Sequence, residues 1–240
     1  MLYILIPYRN RENNLAEFLN KTNAVFNEIL KNYKVVVIEQ GNSKPFNRGL
    51  LLNVGFKHFA NKDDDEIILH DVDVIPTKET IINIYRQVLH DDCILGIYGY
   101  HFSIGGVTKI KKSIFEKVNG FPTNYWGWGF EDYILKKRVD LAGIRYVTLC
   151  EPNTSHATTK FTLLKSPQNE QKYFYTGNDS KKTLSDKSPN LILTRIFESN
   201  NLKQKIETIS KSGLNTTHYT VLRHLTLDNN YNVEFITVDI

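Results

Sequence analysis

The chain has 240 residues, enough for one domain with a proper core, and its 41% hydrophobic, 23% charged composition excludes a disordered or fibrous protein. Against 30 lysines and arginines stand 26 aspartates and glutamates, so a formal charge of +4 is spread thinly along the chain. That excludes the dense basic stripe of a nucleic-acid binder, although the mild excess suits a phosphate-bearing ligand. Two cysteines, Cys93 and Cys150, lie far apart in apolar surroundings, which excludes a disulfide scaffold or a Cys-x-x-Cys zinc site and predicts buried free thiols in a reducing compartment.

The opening MLYILIPYRNRENN holds a short apolar run cut off by Pro7 and Arg9; it is too short to span a bilayer and lacks a basic leader or cleavage pattern. The expectation is a cytoplasmic chain with no membrane span. Leu2–Ile6 reads as a buried strand, residues 14–32 as a helix with apolar residues near helical spacing, and Lys34–Glu39 as a second strand. Asn47–Phe59 reads as a helix, Ile67–Leu69 as a third strand, and Thr77 caps a helix running to Leu89 before a fourth strand at Ile94–Tyr98. This β-α-β-α-β-α-β order predicts an α/β domain with a mostly parallel central sheet and flanking helices. Residues 131–143 read as a further helix and IRYVTL as the strand after it. A polar stretch at about 158–188, rich in turn-forming and charged residues, reads mostly as a mobile insert within one 1–240 domain. Beyond it, Leu191–Ser210 looks helical, and Tyr219–Leu225 and Val233–Ile240 read as strands.

Two segments carry chemistry. Asp71-Val72-Asp73 directly follows an apolar run, and in open α/β sheets ligands bind beyond the carboxyl ends of the strands. Two carboxylates there can meet a divalent cation and the hydroxyls of a nucleotide sugar, or simply stabilise a turn before Pro76. The second segment is Gly120–Asp132, GFPTNYWGWGFED, which gathers both tryptophans of the chain among glycines just before a carboxylate pair. Indole faces pack on sugar rings, glycines permit tight backbone, and a helix N-terminus favours the negative charge of Glu131 and Asp132. An aromatic loop packed on the core would leave the acids without such a purpose. His156 alone reads as a surface histidine, Arg9 and Arg11 as solvated charges or as phosphate or uracil contacts, and Lys109, Lys111 and Lys112 as an exposed helix face in preference to a set of diphosphate contacts. His70, His101, His218 and His224 read as structural.

FNRGLLLNVGF, DVDVIP, GGVTKIKKSIFEKVNGFPTNYWGWGFED and SGLNTTHY…FITVDI, in this order, resemble the β-1,4-galactosyltransferase family, glycosyltransferase family 7, over nearly the whole chain. The resemblance implies a GT-A fold (a Rossmann-like, mostly parallel sheet with flanking helices), a UDP-sugar donor, Mn²⁺, and inverting transfer to a sugar hydroxyl of a glycan acceptor. Residue by residue it implies that Pro7, Tyr8, Arg9 and Arg11 meet the nucleotide, with Phe46 and Arg48 as a second contacting pair. Asp71, followed by Val72, lies near the ribose and donor sugar, and Asp73 is a metal ligand. Gly105 and Gly106 pass close to the donor, Trp128 is the gating tryptophan, Glu131 contacts a sugar hydroxyl, Asp132 is the catalytic base, and His156 closes over the metal.

The chain departs from the family in three places. Asn153 stands where many members have a methionine ligand; an amide oxygen is harder, so Mg²⁺ joins Mn²⁺ as an expected cofactor. Ser103 replaces a tyrosine that crowds the donor's C2 substituent, which opens the site to UDP-GalNAc beside UDP-Gal. Tyr133 follows Asp132 where a further acid is common, and with the polar insert it leaves the acceptor open. The disulfide cysteines of secretory members are also missing, which suits a cytoplasmic microbial or viral enzyme making a surface glycan. The competing readings are a chondroitin-type or other polysaccharide GalNAc/Gal transferase module, a non-catalytic carbohydrate- or UDP-sugar-binding homologue, and a nucleotidyltransferase, the last without reason for the WGWGFED turn.

Overall fold

A computed structural model describes residues 1–89, 93–152, 160–164, 188–227 and 232–240. Apolar runs become strands whose alternate side chains feed two separate cores. From β1 (Leu2–Tyr8), Ile4, Ile6 and Tyr8 enter one cluster and Leu5 the other; β2 (Tyr33–Gln40) sends Val35 and Val37 one way, Val36 and Ile38 the other. Strands buried on both faces need covering helices. Helix α1 (Glu12–Ile29) covers one face with Phe18 and Phe26, and α2 (Arg48–Phe59) covers the other with Leu51, Leu52 and Val54.

The remaining elements are β3 (Glu66–His70), β4 (Val74–Pro76), a short α3 (Lys78–Thr80) running into a π-helical turn at Ile81–Tyr85, and β5 (Cys93–Tyr98). There follow β6 (Val107–Lys111), α4 (Lys112–Lys117), α5 (Glu131–Leu141), β7 (Arg145–Thr148) and β8 (Phe161–Leu163). The chain closes with α6 (Pro189–Ser199), α7 (Leu202–Ser210), β9 (Thr220–Leu227) and β10 (Val233–Asp239). Eight strands form one sheet in the order β7-β5-β6-β3-β1-β2-β10-β9, with β6 and β9 antiparallel to the rest; β4 and β8 form a separate antiparallel ribbon. This is the mostly parallel GT-A sheet that the sequence predicts.

Four details differ from the sequence reading. Lys109 is on a strand, not an exposed helix face: it is 1% exposed, its ammonium donates to the Tyr85 and Gln87 carbonyls, and it pairs with Glu66 at 2.9 Å. The helix capped by Thr77 ends near Tyr85 rather than Leu89. The expected helix at 191–210 is broken at Asn200 and Asn201, because Asn201 caps α7 in a reciprocal box with Gln204. Within the polar stretch, Phe161–Leu163 pairs with β4 because Phe161 is buried against Tyr98; residues 165–187 lie outside the described residues. Cys93 and Cys150 are buried thiols outside any disulfide, as expected.

The antiparallel β6 is what assembles the site. His70, the last residue of β3, is paired with Val107, the first of β6. The turn before β6 therefore lies at the carboxyl end of β3, and Asp71 N–H donates to the Gly106 carbonyl at 3.1 Å. Among the described residues no helix is long and apolar enough to cross a membrane.

Candidate active site

Four carboxylates gather at this end of the sheet around two guanidiniums. Arg11, after β1, donates from Nη1 to Asp73 Oδ2 at 3.1 Å. Arg48 opens α2 just after the capping residue Asn47, whose side chain accepts from Leu50 N–H. Its Nε donates to Asp71 Oδ1 at 2.8 Å, and its Nη1 lies 3.8 Å from Glu131 Oε1. Nη2 is 2.8 Å from the same Asp71 oxygen, at an angle that makes no second hydrogen bond. Both terminal nitrogens of Arg48 are thus buried donors without an acceptor among the described residues. Such donors suit an anionic ligand.

The third wall is the start of α5. Asp132 accepts from Tyr133 N–H on Oδ1 at 2.7 Å, and its backbone carbonyl accepts from Ile104 N–H. Gly105 packs directly on this carboxylate: a Cβ there would sit 2.9 Å from Asp132 Oδ2 and would push the carboxylate aside. Burial raises the Asp132 pKa, while Arg48, the Tyr133 N–H and a hydrogen bond from Ser103 work against the rise. Burial, and then the neighbouring Asp132 charge, push Glu131 up to about 7 despite Arg48. Asp73 is raised by burial and by Asp71, with Arg11 opposing. Three carboxyls raised together mark a cluster with more acid than base.

The tryptophan loop lies alongside. Gly127, Gly129 and Phe130 all have positive φ (79°, 99° and 73°), a backbone that the two glycines adopt without cost and Phe130 adopts under strain as the N-cap of α5. Gly127 N–H donates to the Phe46 carbonyl at 2.8 Å, which ties the loop to the FNR segment. Trp128 remains 47% exposed beside the site.

Other expected residues sit further out. Arg9 donates to the Lys44 carbonyl and lies over the Phe46 ring, 5.4 Å from its centroid. It also lines a cavity of about 400 Å³ with Glu39, Gln40, Asn42 and Thr237, beyond the ends of β1 and β2. The Tyr8 ring faces the core, edge-on to Phe235, and Val72 is equally buried, so these two contribute packing while Pro7 lies buried in β1. Asn153 and His156 lie outside the described residues. His70 is a buried strut: Nδ1 donates to the Asp71 carbonyl and Nε2 accepts from Tyr85, each at 2.9 Å, and burial lowers its pKa to about 4.

The sequence reading missed the residues that hold the loop. Asn53, fully buried in α2, donates to the Phe121 carbonyl and accepts from Phe121 N–H. Arg138 of α5 donates to the Asn119, Gly120 and Ser212 carbonyls. An asparagine inside the apolar run LLLNVGF is a signal that could have exposed Asn53; Arg138 offers none of that kind.

Residues 1–86 match the N-terminal region of glycosyl transferase group 7, and residues 96–165 match the N-terminal domain of galactosyltransferase. The chain belongs to the β-1,4-galactosyltransferase family. It is 39% identical to human β-1,4-galactosyltransferase 4 over 146 residues, 58% of this chain and 42% of that protein. To mouse β-1,4-galactosyltransferase 2 it is 35% identical over 151 residues, 59% of this chain and 40% of that one. It thus spans about two-fifths of the length of these curated relatives. A crystal structure of a Drosophila β-1,4-galactosyltransferase 7 variant with manganese, UDP-Gal and xylobiose superimposes with a TM-score of 0.73 at 21% identity, covering 100% of this chain and 93% of that one. The two chains therefore share a fold.

Proposed function

We propose that this chain is a metal-dependent, inverting hexosyltransferase that moves galactose or N-acetylgalactosamine from a UDP-sugar to a sugar hydroxyl, forming a β-linkage in a surface glycan. The observation that carries the reading is the convergence of Asp71, Glu131 and Asp132 on Arg48, whose terminal nitrogens are buried without a hydrogen-bond acceptor among the described residues. Family membership and the UDP-Gal complex of the Drosophila relative support it.

In this mechanism the acceptor hydroxyl attacks the anomeric carbon as UDP departs, and Asp132 takes the hydroxyl proton. Burial makes Asp132 a stronger base than a solvated aspartate, and Tyr133 N–H and Gly105 fix its position. Glu131 bonds a sugar hydroxyl, Arg48 and Arg11 favour the anionic donor, and Trp128 covers the reacting sugar to exclude water. The excess of carboxylates over guanidiniums suits a divalent cation. Among the described residues no three acidic, histidine or cysteine side chains form a metal site, so Asp73 would share the ion with the diphosphate, His156 and Asn153. Mn²⁺, or Mg²⁺ given the hard oxygen of Asn153, supplies charge that stabilises the departing diphosphate when bound.

The test is UDP release from UDP-Gal, UDP-GalNAc, UDP-Glc and UDP-GlcNAc with Mn²⁺ or Mg²⁺ and a panel of glycan acceptors. We expect turnover with the first two donors and with both metals, and a loss of roughly 10²–10⁴-fold in kcat for Asp132→Asn. UDP binding without turnover of any donor would mark a binding homologue instead. Ser103→Tyr should shift donor preference toward UDP-Gal; an unchanged ratio removes the steric argument.

A further inference from the structure

The tryptophan loop has a tether that the motif does not contain. Asn190, in the first turn of α6 and 3% exposed, directs one amide nitrogen at three loop carbonyls: Trp126 at 3.1 Å, Trp128 at 3.4 Å and Gly129 at 3.1 Å. Two N–H groups shared among three acceptors tie the turn as a unit rather than any one peptide. The same helix grips both flanks of the loop. Thr194 lies 3.4 Å from the Tyr125 hydroxyl before it, Phe197 packs with Tyr125 and Ile134, and Glu198 accepts from the Tyr133 hydroxyl beyond the catalytic pair. On the opposite side the loop is fastened to the nucleotide-contacting segment only at Gly127, through the Phe46 carbonyl, among the described residues' backbone bonds.

We propose that Asn190 is a positioning residue for acceptor transfer: through the Trp126, Trp128 and Gly129 carbonyls it sets the placement of Trp128 and of the carboxylates Glu131 and Asp132 that follow. This rests on the transferase reading. Because the Gly127–Phe46 bond survives without Asn190, its loss should act on the acceptor side and spare nucleotide binding. A residue that merely stabilised the fold would weaken both alike.

The experiment compares wild type, Asn190→Ala and Asn190→Ser in the full chain. One arm measures UDP affinity, together with UDP-Gal transfer to p-nitrophenyl β-N-acetylglucosaminide and p-nitrophenyl β-xyloside. The other measures acrylamide quenching of the two tryptophans, both of which lie in this loop. Asn190→Ala should lose at least tenfold in kcat/KM for the acceptor, change the UDP Kd less than twofold, and show quenching raised by half or more. Asn190→Ser, which keeps one short donor, should fall between. Equal losses in UDP affinity and acceptor kinetics, or quenching and kinetics both like wild type in a folded variant, overturn the proposal. If Asn190→Ala does not fold, Asn190→Ser decides alone by the same criteria. If wild type transfers to neither acceptor, the transferase reading loses support while quenching still decides the tether: raised in the variants, it stands; unchanged, it falls.

Discussion

Asp71 and Asp73 leave the end of β3, a strand bonded to β1 on one side and β6 on the other, whereas residues 121–130 contain no helix or strand. The acids stand where the sheet's own main chain puts them, and their partners Arg11, Arg48 and Gly106 come from neighbouring strand and helix ends. The tryptophan loop has no ladder to rest on. Its carbonyls are gathered by side chains remote in sequence: Asn47 and Asn53 reach it across 76 and 68 positions, and Asn190 across 61 to 64. A loop carrying exposed aromatic surface must satisfy its buried backbone groups somewhere, and amides do so without adding charge to a site already crowded with carboxylates. Electrostatics therefore governs the first region and hydrogen-bond geometry the second.

That contrast makes three expectations. The largest effect should come from Arg48→Met, which leaves Asp71 and Glu131 without their cation; truncating one partner of a buried ion pair costs roughly 3–5 kcal/mol. Thermal unfolding should show a marked drop near neutral pH and UDP affinity should fall with it. A variant as stable and as tight-binding as wild type would mean that the cluster is not held by charge.

The next effect depends on pH. Glu131 is raised from 4.5 to about 7 in the fold, so its neutral form favours the native state. The advantage is complete below 4.5 and is lost as pH rises through 7. Glu131→Gln should accordingly leave stability near wild type at pH 4 and exceed it at pH 8, by up to roughly 3 kcal/mol. Denaturant unfolding at the two pH values checks this, and a pH-independent difference would contradict the electrostatic account. The smallest effect belongs to the loop region: Asn53→Ala strands the Phe121 N–H and carbonyl at a cost of roughly 2 kcal/mol, with no dependence on pH. A pH-dependent loss there would erase the distinction between the regions.

Much of this arrangement was legible in the residues. Apolar runs gave β1, β2, β3 and β5, and the Asp71-Val72-Asp73 and WGWGFED motifs named the carboxylates that the fold brings together. The bounds failed where tertiary contacts outweighed local pattern. VTKIK in β6 carries two lysines in five residues and does not look like an interior strand; it is one because Lys109 finds Glu66 and two carbonyls inside the fold. Tyr8, which the resemblance assigns to the nucleotide, has its ring in the core against Phe235, since alternate residues of a strand face opposite sides.

The sequence by itself therefore determined the α/β class, the alternation of strands and helices along the first part of the chain and which acidic and aromatic residues belong together, because periodicity and local motifs are properties of adjacent residues. Only the tertiary structure decided that β6 runs antiparallel and brings Gly105 against Asp132, that Arg48 lies among the carboxylates with two buried donors unsatisfied among the described residues, and that Asn53 and Asn190 hold the tryptophan loop while Arg138 holds the turn before it. These are pairings across long stretches of chain, set by where buried polar groups find partners, and no local pattern names those partners.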